Sequence, residues 1–548
     1  MGSAGAEGKM RSRTEEPEVR WWQRGAIYQI YPRSFADSNG DGIGDLRGVT
    51  DRLDYLKDGS PDSLGVEAIW LSPFYPSPMA DFGYDISDYT GVDPVFGTLN
   101  DFDELLAEAH RREIRVVVDW VPNHTSDRHP WFLESREGVD SAKRDWYVWR
   151  DARPDGGPPN NWTSSFAAVG SAWTLDEDTG QYYLHSFTSQ QPDLNWDNPE
   201  VEAAMHDTLR FWLDRGVDGF RMDVINRIAK DPELADNPSS PEPGEPREIH
   251  HDQDWPSIHE RLRGIRAVLD EYDDRMMVGE VHIYDLGRLV EYIASGDQLH
   301  LVHNFVFMYL PWDAAAMRAS VDEFEALSGG RAWPAWFLSN HDHSRVVSRF
   351  GGGKLGEARA RVAAMLLYTL RGTPFIYQGE ELGLPDAPIP PDAVVDVDGR
   401  DPERAPVPWE PPSRAGPAAG FSTGEPWLPL SPEAERLNAA SQSGDSDSLL
   451  SLVRRLAWLR RGDQCLQRGE QRSLDAGPGV FAYLRELHGT RMLVLLNFSE
   501  QQCRPSTTAL PESGLLQAST HRGRDGNPSQ LSLSDLVLGP NEGLLLRV

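Results

Sequence analysis

Three carboxylates stand where short apolar runs stop: Asp223 in VDGFRMDVI (217–225), Glu280 in MMVGEVHIY (276–284) and Asp342 in AWFLSNHD (335–342). Acids gathered from separate segments are what glycosidic bond cleavage requires. One protonates the leaving oxygen, and another attacks the anomeric carbon or activates water. The two roles need different pKa values, which burial and neighbouring charges set. Arg221 lies two residues before Asp223 and so shares its side of a strand, where it is expected to keep that carboxylate ionised and nucleophilic. Glu280, set in an apolar run, is expected to be raised by desolvation and to act as the general acid. A structural ion pair is the alternative for Arg221 and Asp223, although buried pairs contribute little net stability. His124 and His341 offer hydrogen bonds to sugar hydroxyls. No H-x-x-x-H or H-x-x-E spacing joins them as metal ligands.

These residues need a scaffold that brings distant segments to one face. Eight apolar, β-branched or aromatic runs recur at 26–35, 66–74, 114–124, 217–225, 276–284, 299–307, 335–342 and 373–379. Helix-like segments such as LNDFDELLAEAHRRE and PEVEAAMHDTLRFWLDRG separate many of them. Alternating strand and helix patterns predict βα units, and near-continuous apolarity predicts parallel strands covered on both faces. Eight units predict an α/β fold, a (β/α)8 TIM barrel with its site at the C-terminal ends of the strands. Asp119, His124, Arg221, Asp223, Glu280, His341 and Asp342 fall at those ends. Residues 125–200, rich in Trp, Tyr, Ser, Asn and Gly, interrupt the spacing after the third strand and read as an inserted lobe. Its tryptophans are expected to pack on the barrel. The chain divides into a flexible N-terminus (1–20), barrel (21–124), lobe (125–200), barrel (201–464) and a C-terminal all-β sandwich domain (465–548). The proline-rich stretch 385–430 reads as loop and 448–461 as a closing helix. REIHHDQDW (247–255) reads as a solvated loop rather than a metal site, with lining of the acceptor side of the site as its alternative.

Composition narrows the partners. The chain has 53 Lys and Arg against 86 Asp and Glu, a formal charge of −33, which argues against nucleic acid and anionic membrane. No apolar run reaches the roughly 18 residues of a spanning helix. The first residues lack the apolar core of a signal peptide. Cys465 and Cys503 carry no metal spacing and form no disulfide framework, so a cytoplasmic, reducing compartment is expected.

DWVPNHTS (119–126), GFRMDVIN (219–226), VGEV (278–281) and FLSNHD (337–342) resemble, in order, the four signature segments of the α-amylase family of glycoside hydrolases, family 13. QPDLNW (191–196), FGYDISDY (82–89) and RAPVPW (404–409) extend the likeness to the oligo-1,6-glucosidase and α-glucosidase branch, from about residue 20 to the C-terminus. The resemblance implies Asp223 as nucleophile, Glu280 as acid/base and Asp342 as the third acid, which stabilises the oxocarbenium-like transition state. It implies that Arg221 supports the nucleophile, that His124 and His341 bind the sugar before the scissile bond, and that Tyr84 forms a platform beneath it. Asp85 and Arg404 are implied as the pair gripping the non-reducing end. The activity implied is that of a retaining, exo-acting α-glucosidase on short oligosaccharides. A transglucosylase or sugar isomerase on the same intermediate is the alternative. Val224, after the nucleophile, resembles members that prefer α-1,6 bonds. HSR after Asp342 and RDPERAPVPW depart from the branch and leave the linkage open.

DSNGDGIGD (37–45) offers oxygen ligands from Asp37, Asn39, Asp41 and Asp45 around glycines that permit a tight turn. As an EF-hand it fails, since its twelfth position is Gly48. An Asx-rich turn without metal is one reading. The resemblance implies a structural calcium (or magnesium) held by these side chains and the Ile43 carbonyl. No organic cofactor is expected.

Overall fold

A computed structural model describes residues 19–238, 250–506, 508, 510–521, 523–524 and 529–548. Residues 1–18 of the expected N-terminal tail lie outside it. Eight short parallel strands form the centre: Ile27–Ile30, Ala68–Leu71, Arg115–Trp120, Gly219–Met222, Met276–Gly279, Leu301–Val302, Ala335–Trp336 and Thr373–Tyr377. Each pairs with its neighbours, the first with the eighth, and a parallel bridge between His303 and Ala335 joins the sixth to the seventh. This is the barrel expected from the eight runs.

Alternation along the strands assigns the two faces. Ile27, Ala68, Trp70, Val117, Met276, Val278, Leu301, Ala335 and Phe375 form a core within the barrel. Tyr28, Ile69, Val116, Val118, Phe220, Met277 and Val302 join the larger core that includes the surrounding helices. Helix Leu99–Arg111 begins at a Thr98–Asp101 capping box and buries Phe102, Leu105, Leu106 and Ala109, an i, i+3, i+4, i+7 stripe. Helix Pro199–Arg215 starts on the Asn198 cap and stops at Gly216, whose φ of 102° supplies the left-handed turn.

The strands are shorter than the apolar runs. The run 217–225 is strand only over Gly219–Met222, and 335–342 only over Ala335–Trp336. Asp223, Glu280, His341 and Asp342 therefore stand just beyond their strands, whereas Asp119 and Arg221 lie within them. Past the barrel rim the chain turns and its polar groups no longer face a closed sheet.

The inserted segment forms a three-stranded sheet of Trp149–Asp151, Gln181–Leu184 and Trp173–Asp176. Trp146, Tyr147 and Trp149 join the main core as expected, whereas Trp162 and Trp173 are buried in a small core of the lobe's own with Val148 and Leu184. The stretch 385–430, expected as loop, carries the short helices Asp401–Arg404 and Pro412–Ala415, and helix Leu449–Gly462 follows. The C-terminal all-β region is one six-stranded antiparallel sheet. Phe481, Tyr483, Val494 and Leu545 face the main core. Ala482, Leu484, Leu495 and Leu544 face a second core, which Leu533, Leu536 and Leu538 cover in place of a second sheet. Among the described residues no helix is long and apolar enough to cross a membrane.

Candidate active site

A cavity of about 670 Å3 opens where the polar strand ends converge, and Asp223, Glu280 and Asp342 all line it. Arg221 organises two of them. Its Nη1 lies 2.6 Å from Asp119 Oδ1 and 2.6 Å from Asp223 Oδ1, and its Nη2 lies 2.5 Å from Glu280 Oε2. Asp119, fully buried, is held in turn by the Trp70 indole N–H at 2.8 Å. One guanidinium thus faces three carboxylates.

The structure places the charge differently from the sequence expectation. Burial drives the Asp223 carboxyl well above its ordinary value. Arg221 opposes this, but the charges of Glu280 and Asp119 push it further up. Burial also acts to raise Glu280, yet Arg221 and His282 outweigh it and hold Glu280 well below the usual carboxylate range. His282, whose Nε2 sits 2.9 Å from Glu280 Oε1, is the partner that sequence reasoning missed. Asp119 is pushed up to about 6 by burial, with Arg221 opposing. Asp223 and Glu280 share Arg221 and titrate as a unit.

Val224 links these two acids. Its backbone N–H donates to Glu280 Oε2 at 3.1 Å, and its φ of 34° is left-handed, a strained conformation for a β-branched residue. The strain falls between the strand carrying Arg221 and the 3-10 turn Ile225–Arg227. It leaves Val224 lining the cavity beside both carboxylates.

Asp342 is braced from behind. Burial acts to raise it, but His341, Arg400 and Arg404 hold it well below the usual range. Arg404 Nη2 donates to Asp342 Oδ1 at 2.7 Å and its Nε to the His341 carbonyl at 2.8 Å. His341 is itself fully buried. Its Nδ1 meets Gln29 at 2.7 Å, and its Nε2 meets the Tyr84 hydroxyl at 2.7 Å and Asp342 Oδ2 at 3.1 Å. The Tyr84 and His341 rings stack at 5.4 Å, 9° apart. Tyr84 and His124 line the cavity, whereas His341 and Arg404 support it from outside. Burial lowers His124 to about 4 and His341 to about 3, so both are neutral imidazoles at neutral pH.

The expected pairing of Asp85 with Arg404 is corrected by one turn of chain on each side. Asp85 is fully buried, accepting from Ser77 Oγ at 2.8 Å and from the Ala80 and Asp81 amides at 2.9 and 3.0 Å. It shapes the loop and does not reach the cavity. Asp81 and Arg400 do: Arg400 Nη2 lies 2.5 Å from Asp81 Oδ1, and its Nη1 lies 3.1 Å from Asp342 Oδ1. Asp81 immediately precedes FGYDISDY, and Arg400 is the first residue of RDPERAPVPW, so the signal lay at the edge of the quoted segments.

Other residues complete the lining. Phe166 and Phe187 come from the inserted lobe. Of REIHHDQDW, 247–249 lie outside the described residues. His250, Asp252 and Gln253 line the cavity, the alternative to a solvated loop, while His251 bonds Asp231 at 2.7 Å.

In the 37–45 loop, Asn39, Asp41 and Ile43 amides donate to Asp37, Asn39 and Asp41 in turn, each at 2.9 Å. Asp37 also accepts from Gly40, Gly42 and Ser422, and Asp45 from Gly48 and Ser38. Among the described residues no three His, Cys, Asp or Glu side chains converge as a metal cluster.

Residues 29–469 match the model of the alpha amylase catalytic domain. A probable alpha-glucosidase of Rhizobium meliloti (strain 1021) is 44% identical, with 89% of this chain and 91% of that protein covered. An oligo-1,6-glucosidase of Parageobacillus thermoglucosidasius is 40% identical over 88% and 91% respectively. The crystal structure of XgtA, an alpha-glucosyl transfer enzyme, superposes with a TM-score of 0.86 at 39% identity, covering 97% of this chain and all of that one. The chain belongs to the α-amylase family, glycoside hydrolase family 13.

Proposed function

We propose that this glycoside hydrolase is an exo-acting, retaining α-glucosidase that removes glucose from the non-reducing end of short oligosaccharides. The single observation that carries the reading is Arg221 bound to Asp223 on one arm and Glu280 on the other, within a cavity where Arg400 bridges Asp81 and Asp342. That bridge is the closed end that limits the site to a terminal sugar. In the reacting complex Glu280 carries the proton and Asp223 is ionised. Asp223 attacks C1, Glu280 gives its proton to the departing glycosidic oxygen, and the C1–O bond breaks. Water then loses a proton to Glu280 and attacks C1, which frees Asp223. Asp342, kept anionic by Arg400 and Arg404, stabilises the positive charge at the sugar, neutral His124 serves its hydroxyls, and neutral His341 positions Tyr84 and Asp342 from behind. The unpaired thiols Cys465 and Cys503 favour a reducing, cytoplasmic compartment.

Initial rates on isomaltose, maltose, sucrose and trehalose, with products resolved by chromatography, test the assignment. Glucose release with isomaltose fastest is expected from Val224. A second reading, transfer to a sugar instead of water, is favoured by the likeness to XgtA. New disaccharides in place of glucose would establish it.

We likewise propose a structural calcium in the 37–45 loop. Its donors would be Asp37, Asn39, Asp41, Asp45 and the Ile43 carbonyl, all hard oxygens suited to that ion. Asn39 and Asp41 each accept one hydrogen bond within the loop and retain acceptor capacity. The ion would bind charge and take no part in the reaction. A lower unfolding temperature after chelation, restored by calcium, is expected. No change on chelation would leave the loop an Asx-rich turn.

A further inference from the structure

The sixth strand, Leu301–Val302, ends at His303, whose ring packs among Trp70, Phe337 and Phe375 at 5.5, 5.0 and 4.7 Å between centroids. All three belong to the core within the barrel. Phe337 also meets Phe305 at 5.1 Å, and His282 stacks on Phe305 at 4.1 Å. His303 is 2% exposed, and among the described residues neither of its ring nitrogens has a hydrogen-bond partner. The surrounding rings offer none, since the Trp70 N–H is committed to Asp119. Burial lowers the imidazole to about 3, and the charge of Arg221 acts in the same direction. The ring is therefore neutral at neutral pH, with one N–H donor and one lone pair.

Arg221 has the matching deficit. Its Nη1 and Nη2 hold Asp119, Asp223 and Glu280, but its buried Nε meets no partner among the described residues. The guanidinium carbon lies 5.2 Å from the centre of the same Trp70 ring on which His303 packs. Buried polar groups are almost always paired, with protein or with ordered water, and an apolar wall leaves water as the partner here.

We propose that His303 and Arg221 Nε share a buried water site beneath the acids, and that through it His303 positions the guanidinium. The proposal rests on Asp223 and Glu280 as the reacting acids, because only then does the aim of Arg221 bear on the reaction. One water takes the Nε–H and donates to the imidazole lone pair, and a second beside it takes the imidazole N–H. Held only at its two outer nitrogens, the guanidinium can tilt across the carboxylates. A third fixed point sets its plane. His303 touches no reacting atom and is a positioning residue.

Arg221 opposes the effect of burial at both acids, so loosening it raises both. The titratable groups facing it are Asp119, Glu280, Tyr84 and Asp223. In His303→Phe, which fills the ring's volume without polar atoms, both limbs of the kcat/KM profile are expected to move to higher pH by about one unit. Turnover is expected to fall about ten-fold with KM little changed. His303→Gln, which keeps a donor and an acceptor, is expected to restore the wild-type limbs. Limbs that stay in place with phenylalanine, or move as far with glutamine, would overturn the positioning role. A crystal structure of the unaltered protein reads the water itself, whether or not the variants fold. Water density within hydrogen-bond reach of Arg221 Nε and a His303 nitrogen is expected, and a dry contact there would overturn the proposal. Near-normal turnover by Asp223→Asn would remove the reading of the acids, and the positioning role with it, without touching the water.

Discussion

Replacing Arg400 with methionine removes a buried charge while conserving much of its volume. Arg400 contacts Asp81 at 2.5 Å, Asp396 at 2.6 Å and Asp342 at 3.1 Å. The Asp81 and Asp396 side chains are only 5% and 0% exposed. Removing one partner of a buried pair leaves a charge uncompensated and costs about 3–5 kcal/mol. Arg404 still reaches Asp342 and Asp396, which limits the loss to the lower end of that range. The cost depends on pH with a definite sign. In the wild type, Asp342 and Asp396 are held below their ordinary values. Their stabilisation is present above the unfolded carboxylate pKa and lost as pH falls through the folded one. In the variant the same carboxylates rise and relieve their burial by taking up protons. The stability gap between the two proteins is therefore large at pH 7 and shrinks towards pH 4. Thermal unfolding midpoints of both, measured across that range, read the gap directly. A gap of the same size at both ends would refute the electrostatic account of this end of the cavity.

Asp223→Asn should lower turnover by about a thousand-fold or more while leaving the far-ultraviolet circular dichroism unchanged; near-normal rates in the purified variant would exclude it as nucleophile. Val224→Ala should shift the isomaltose-to-maltose preference towards maltose by the equivalent of about 1–3 kcal/mol, read from the ratio of kcat/KM values. His282→Phe keeps the stack on Phe305 and deletes the bond that helps hold Glu280 low. The basic limb of the kcat profile, where the bound complex loses the acid's proton, should move to higher pH by about one unit. A limb that stays in place would remove His282 from control of the acid.

The eight apolar runs, the helix-like segments between them and the order of the acidic segments were legible because each depends on local periodicity and residue type. DWVPNHTS, GFRMDVIN, VGEV and FLSNHD placed Asp223, Glu280 and Asp342 in one cavity before any contact was known. Local patterns could not decide between Asp81 and Asp85, or between Arg400 and Arg404, because both members of each pair sit in the same polar loop. Packing made that choice: Asp85 turned inwards to hold its own loop, leaving Asp81 to face Arg400 across more than three hundred residues of chain. The division of charge between Asp223 and Glu280 was equally out of reach. It depends on which carboxylate gains a second partner, and His282 joins Glu280 only because the chain leaves its strand at Gly279 and turns. Residue types determined which chemistry the chain can perform. Only the closed barrel decided which groups face the substrate and which brace them, because desolvation and Coulomb interaction act through space, between residues that are close only after folding.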